Sequence, residues 1–131
     1  MRILVVDDDT VTVSMLEALL QEEGHEVVTA FDGRDVLGCL QGNSLDLVIT
    51  DIFMPEQDGL VTIARLREEF PQLRVVAISG GASALGKVDA LRAAQLMGAD
   101  AVLAKPLQAE QVLRVVNAVS SADKGTSFSG I

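Results

Sequence analysis

Four short apolar runs each end in residues able to do chemistry, and that pattern limits the folds open to this chain. Ile3-Leu4-Val5-Val6 leads into Asp7-Asp8-Asp9, and Leu47-Val48-Ile49-Thr50 into Asp51. Val75-Val76-Ala77-Ile78 leads into Ser79-Gly80-Gly81, and Ala101-Val102-Leu103-Ala104 into Lys105-Pro106. Such runs, alternating with helical patterns, read as strands buried on both faces of a parallel sheet. A parallel sheet presents its strand C-termini along one edge, the edge at which open α/β sheets bind ligands. Carboxylates, a hydroxyl and an ammonium from distant parts of the chain can therefore meet in one pocket.

Five β/α units are legible. The first strand covers about residues 2–6 and the first helix about 11–23, with Val13, Leu16, Leu19 and Leu20 on its buried stripe. Gly24 is placed to close that helix in the left-handed conformation. The second strand is 26–30, Asp32-Gly33 a turn, and the second helix about 34–41, weakened by Gly38. The third strand covers about 46–50, and the third helix opens after Asp58-Gly59 and ends near Glu69, before Pro71. The fourth strand is about 74–78 and the fourth helix about 85–97, with Gly98 as its cap. The fifth strand is 101–104, and the fifth helix about 108–119, with Val112, Val115, Val116 and Val119 inward. The segment from Ser120 to Ile131 is small and polar and reads as frayed. One domain over 1–120 and a flexible C-terminal tail over 121–131 are expected.

Composition excludes several classes of function. At 131 residues the size suits one domain, and a hydrophobic share of 49% is too apolar for disorder. No apolar stretch approaches the roughly 18–20 residues that span a bilayer. The N-terminal apolar run meets acid at residue 7, too early for a secretory signal, so a cytoplasmic location and no membrane association are expected. A net charge of −9 argues against direct nucleic acid binding, which needs clustered Lys and Arg. The single cysteine, Cys39, sits in a helical pattern with Val36 and Leu40 and is read as packing.

The acidic triplet is the strongest chemical signal. Asp9 is read as the N-cap of the first helix. Three adjacent carboxylates repel one another without a counterion, and a magnesium ion would relieve that repulsion through oxygen ligation. Asp51 precedes Met54-Pro55 and Asp58-Gly59, a stiffened loop in which a carboxylate can be a nucleophile toward phosphorus. Asp58 itself is read as a turn or cap residue. Lys105, beside several carboxylates, is suited to ion pairing and to holding phosphoryl oxygens. Pro106 permits a cis peptide, and Ser79 offers a hydroxyl beside two glycines. His25, near the turn between the first helix and second strand, is read as a surface residue.

Together these motifs resemble the receiver domain of two-component response regulators, from Arg2 to about Val119. The resemblance implies a doubly wound (βα)5 flavodoxin-like sandwich, with a five-stranded parallel sheet in the order 2-1-3-4-5. It implies Asp51 as phosphoacceptor and Asp7 and Asp8 as the acidic pair holding Mg2+, joined by Asp51 and by the backbone carbonyl of Phe53. It implies Ser79 as the switch hydroxyl and Lys105 as the invariant-type lysine. The expected partners are a sensor histidine kinase or phosphotransfer protein, which supplies phosphohistidine, and an effector or second copy. The expected output surface is formed by the fourth helix, fifth strand and fifth helix. No enzyme activity is expected beyond self-catalysed transfer and slow autodephosphorylation.

Two features depart from the usual receiver pattern. Val102 stands where many receivers carry Tyr or Phe, and residues 79–105 form a longer, glycine-containing segment with Gly80, Gly81 and Gly86. Phe53 and Gly81 hold the two positions that would flank the phosphoryl group. Neither side chain can orient water, so a long-lived phosphoryl group is expected. Two alternatives compete with this reading. Asp7-Asp8-Asp9-Thr10-Val11 fits the opening motif of haloacid-dehalogenase-type phosphatases, with Asp7 as nucleophile, but the loop after Asp51 then has no role. A pseudo-receiver that only binds proteins leaves the Asp, Ser and Lys set unexplained.

Overall fold

The computed structural model describes residues 1–31, 38, 44–51, 59–79, 92, 95, 98–121 and 128–129. Among these residues six parallel strands form one sheet: β1 (Arg2–Val6), β2 (Glu26–Ala30), β3 (Leu47–Asp51), β4 (Arg74–Ser79), β5 (Ala101–Ala104) and β6 (Phe128–Ser129). Their order is β2-β1-β3-β4-β5-β6, so the five expected strands take the order expected of them. The helices α1 (Thr10–Glu22), α2 (Gly59–Glu69) and α3 (Ala109–Ser121) hold the positions of the first, third and fifth expected helices. The second and fourth expected helices lie outside the described residues, apart from residues 38, 92 and 95.

β1, β3, β4 and β5 carry continuous apolar runs because helices cover both faces of the sheet. Successive residues point to opposite faces, and the core divides accordingly. Ile3, Val5, Leu47, Ile49, Val76, Ile78 and Leu103 pack with Val13, Leu16 and Leu20 of α1 and with all four inward valines of α3. Leu19 is only half-buried against that layer. Leu4, Val6, Val48, Val75, Ala77, Val102 and Ala104 face the other way and pack with Ile63 and Leu66 of α2.

Two glycines have the positive φ that their expected cap positions require: Gly24 at 90° and Gly98 at 110°. Gly98 also answers a packing demand, since a Cβ there would lie 2.6 Å from Arg67 Cγ. Arg67 donates its Nε–H to the Gly98 carbonyl at 2.7 Å and pairs through its terminal nitrogen with the buried carboxylate of Asp100. Asp100 Oδ2 accepts the Val75 amide as well, at 2.8 Å. This cluster ties α2 to the starts of β4 and β5.

The structure departs from expectation at the C-terminal segment. The composition of residues 120–131 predicts fraying, yet α3 continues to Ser121 and Phe128–Ser129 adds a strand to the sheet. Phe128 pairs with Ala101 and Ser129 with Val102, in parallel. An edge strand presents unpaired backbone groups that any extended segment can use, and that template, more than any strand signal in the segment itself, accounts for the pairing.

Candidate functional site

Strand register assembles the site. Val6 of β1 is paired with Thr50 of β3, which makes Asp7 and Asp51 neighbours at the same sheet edge. Asp51 is paired with Ile78, one residue before Ser79, and Ser79 with Ala104, one residue before Lys105. Four chemically active residues thus stand side by side at the C-terminal ends of β1, β3, β4 and β5.

The side chains converge. Carboxylate oxygens of Asp7, Asp8 and Asp51 lie within 4.8 Å of one another; Asp7 and Asp51 are buried and Asp8 is exposed. Lys105 Nζ stands 3.0 Å from Asp7 Oδ2 and 3.3 Å from Asp51 Oδ2. The Lys105–Pro106 peptide is cis.

Asp9 has the capping role expected of it, and a further one. Its Oδ1 accepts the Val11 amide at 3.0 Å and its Oδ2 the Thr12 hydroxyl at 2.9 Å. These bonds, the Thr12 hydroxyl foremost, hold the Asp9 carboxyl below the usual carboxylate range. Its own amide donates to Asp7 Oδ1 at 2.9 Å, so the cap residue also orients the Asp7 carboxylate. Sequence reasoning misses that second role, although an acidic residue two positions before a cap is a signal for such a bond.

Electrostatics set the state of the site. Burial pushes the Asp7 carboxyl up to about 6, and the Asp51 charge adds to the rise, while the Asp9 amide and Lys105 oppose it. Burial disfavours the Lys105 ammonium, but hydrogen bonding to Asp7 and the charges of Asp51 and Asp7 outweigh it and raise its pKa. Ser79 Oγ is buried without a hydrogen-bond partner among the described residues, while the buried Asp7 Oδ2 is met by the Lys105 ammonium at 3.0 Å. Orphaned groups of this kind call for an explanation, such as an ion or a bound group. An all-oxygen, carboxylate-rich donor set fits a hard divalent cation.

The remaining residues singled out in the sequence fall elsewhere. Phe53, Met54, Pro55, Asp58, Gly80, Gly81, Gly86 and Cys39 lie outside the described residues. Val102 is buried in the α2-side core. His25 lies at the opposite end of the sheet, half-buried, with Nδ1 3.0 Å from the N-terminal ammonium. Desolvation and that positive charge lower its pKa. No described helix is long and apolar enough to cross a membrane.

Comparison with known proteins bears on this arrangement directly. The family model for the response regulator receiver domain matches residues 3–117. The chain is 34% identical over 113 residues to the transcriptional regulatory protein DltR of Streptococcus agalactiae, covering 86% of this chain and 49% of that protein. It therefore spans about half the length of that regulator. It is 37% identical over 121 residues to the chemotaxis protein CheY of Treponema pallidum, covering 90% of this chain and 81% of that one. The crystal structure of the receiver domain of NtrX from Brucella abortus superposes with a TM-score of 0.81 at 32% identity, covering 92% of this chain and 99% of that one. Sheet order, aligned strand ends and sequence similarity over nearly the whole fold agree: this chain belongs to the response regulator receiver domain family.

Proposed function

We propose that the chain accepts a phosphoryl group on Asp51 from the phosphohistidine of a sensor kinase or phosphotransfer protein. The observation that carries this reading is the meeting of three carboxylates within 4.8 Å, with Lys105 between two of them. In the transfer an Asp51 carboxylate oxygen forms the new bond to phosphorus as the bond from phosphorus to the donor imidazole nitrogen breaks. Asp7 and Asp8, with Asp51 and the Phe53 carbonyl, would hold Mg2+. Bound there, magnesium supplies charge neutralisation and orientation of phosphoryl oxygens.

Lys105 balances the buried carboxylates before transfer and offers its ammonium to a phosphoryl oxygen afterwards. Ser79, whose buried hydroxyl has no partner among the described residues, has a donor to give to that oxygen. The effector or second copy then binds at the surface of the expected fourth helix, β5 and α3. Turnover beyond the chain's own transfer and slow hydrolysis is not part of this function.

Mass spectrometry after treatment with acetyl phosphate and magnesium is the direct test. The added group should sit on Asp51, and labelling should fail in excess chelator. Label on Asp7 would favour the phosphatase reading, and labelling unaffected by chelator would sink the metal assignment.

A further inference from the structure

We propose that Phe128–Ser129 is a built-in cover strand for β5, released when the acidic site is phosphorylated. The inference rests on the receiver reading of the site and of the surface around β5.

The cover is seated where a partner would bind. Phe128 and Ser129 pair in parallel with Ala101 and Val102, and β6 lies against both β5 and α3. An uncovered β5 would be an edge strand with backbone groups open to another chain. The occupying segment is tethered to the end of α3 by residues 122–127. A short tether of this kind gives an effective concentration on the order of millimolar. Any competing partner must overcome that advantage while the cover remains seated.

The cover is also placed to sense the site. On its other side β5 pairs with β4 from Val76↔Ala101 to Ser79↔Ala104. The Lys105 amide donates to the Ser79 carbonyl at 2.8 Å, so β5 runs directly into the residues that would contact a phosphoryl group. Among the described residues four pairs hold β5 to β4 and two hold it to β6. A displacement of β5 transmitted from Lys105 and Ser79 therefore breaks the shorter ladder first. Pairing of so few residues belongs to the low end of local stability, where switching elements are found.

Amide exchange of Val102 tests the cover: alternate amides of β5 face β4, as that of Lys105 does, and the Val102 amide faces β6. In the full chain that amide should exchange about tenfold more slowly than in Phe128→Pro/Ser129→Pro, which cannot complete the ladder, or in a chain lacking 122–131. Equal rates in all three would overturn the seating. Addition of magnesium with beryllofluoride, a phosphoryl analogue, tests the coupling. Exchange at Val102 should then rise in the full chain, and both variants should bind beryllofluoride about fivefold more tightly, by reciprocity. Unchanged exchange with unchanged affinity would leave β6 as a fixed edge cover and overturn its release. If beryllofluoride leaves residues 49–51 unaffected in every variant, the phosphoacceptor reading fails, and release fails with it; the exchange comparison without beryllofluoride still decides the seating.

Discussion

Lys105 Nζ stands 3.3 Å from Asp51 Oδ2, a pair brought together across 54 positions of sequence. The same ammonium lies 3.0 Å from Asp7 Oδ2, so one cation serves two buried carboxylates. Most of what the site does under perturbation follows from that sharing.

Removing the cation exposes the repulsion it holds in check. Lys105→Ala should keep the fold but lose about 1–3 kcal/mol of stability at pH 7, because two buried carboxylates then face each other uncompensated. The loss should shrink toward pH 5 as one carboxyl protonates. Urea unfolding at both pH values measures this. Acetyl phosphate should also cease to shift the β5 resonances of the variant, and wild-type shifts in Lys105→Ala would remove the lysine from the switch.

Ser79→Ala should act in the opposite direction on stability. Its hydroxyl is buried without a partner among the described residues, so its removal relieves a desolvation cost. The variant should be as stable as wild type or more so, by up to about 1–2 kcal/mol. Asp51 should still be labelled by acetyl phosphate, while the β5 response weakens. A large loss of stability would show that the hydroxyl is paired in the resting protein.

The pH dependence has a definite sign. The Asp7 carboxyl is pushed from 3.8 up to about 6 in the folded chain, chiefly by burial. Between about pH 4 and 6 the folded state therefore binds more protons than the unfolded state, and this residue's contribution to stability falls as pH rises. By pH 7 the deficit is about 3 kcal/mol. Asp7→Asn should thus be more stable than wild type at pH 7 in chelator, with the difference vanishing near pH 4. Saturating magnesium should narrow it from the wild-type side. A pH-independent difference in denaturation midpoint would contradict the assignment.

At the other end of the sheet, Gly98→Ala should cost about 1–3 kcal/mol. The new methyl group meets both a φ of 110° and the Arg67 side chain, which must leave the Gly98 carbonyl to make room. Gly24→Ala has the same kind of φ with nothing within 4 Å of the added Cβ, so it should cost less. Equal losses in thermal denaturation would mean that Arg67 yields without penalty.

The strands and their buried faces are legible in the sequence because strands covered on both sides are continuous apolar runs, and all five expected strands fall within a residue of their bounds. α3 is legible through four valines at helical spacing, and the site through the residue types that follow each strand. Asp9 as a cap and the positive φ of Gly24 and Gly98 are local matters, settled by neighbours in sequence.

Tertiary structure decided what depends on distant neighbours. Arg67, Gly98 and Asp100 give no sign in sequence that they share one cluster. The upward push on Asp7 needs the depth at which β1 ends, not merely the presence of acid. The two-residue strand Phe128–Ser129 is too short to show a periodicity, and it becomes a strand because β5 offers an edge. Pattern within the chain fixes which residues are buried or capped; proximity across the sheet fixes which charges meet and which open edge is filled.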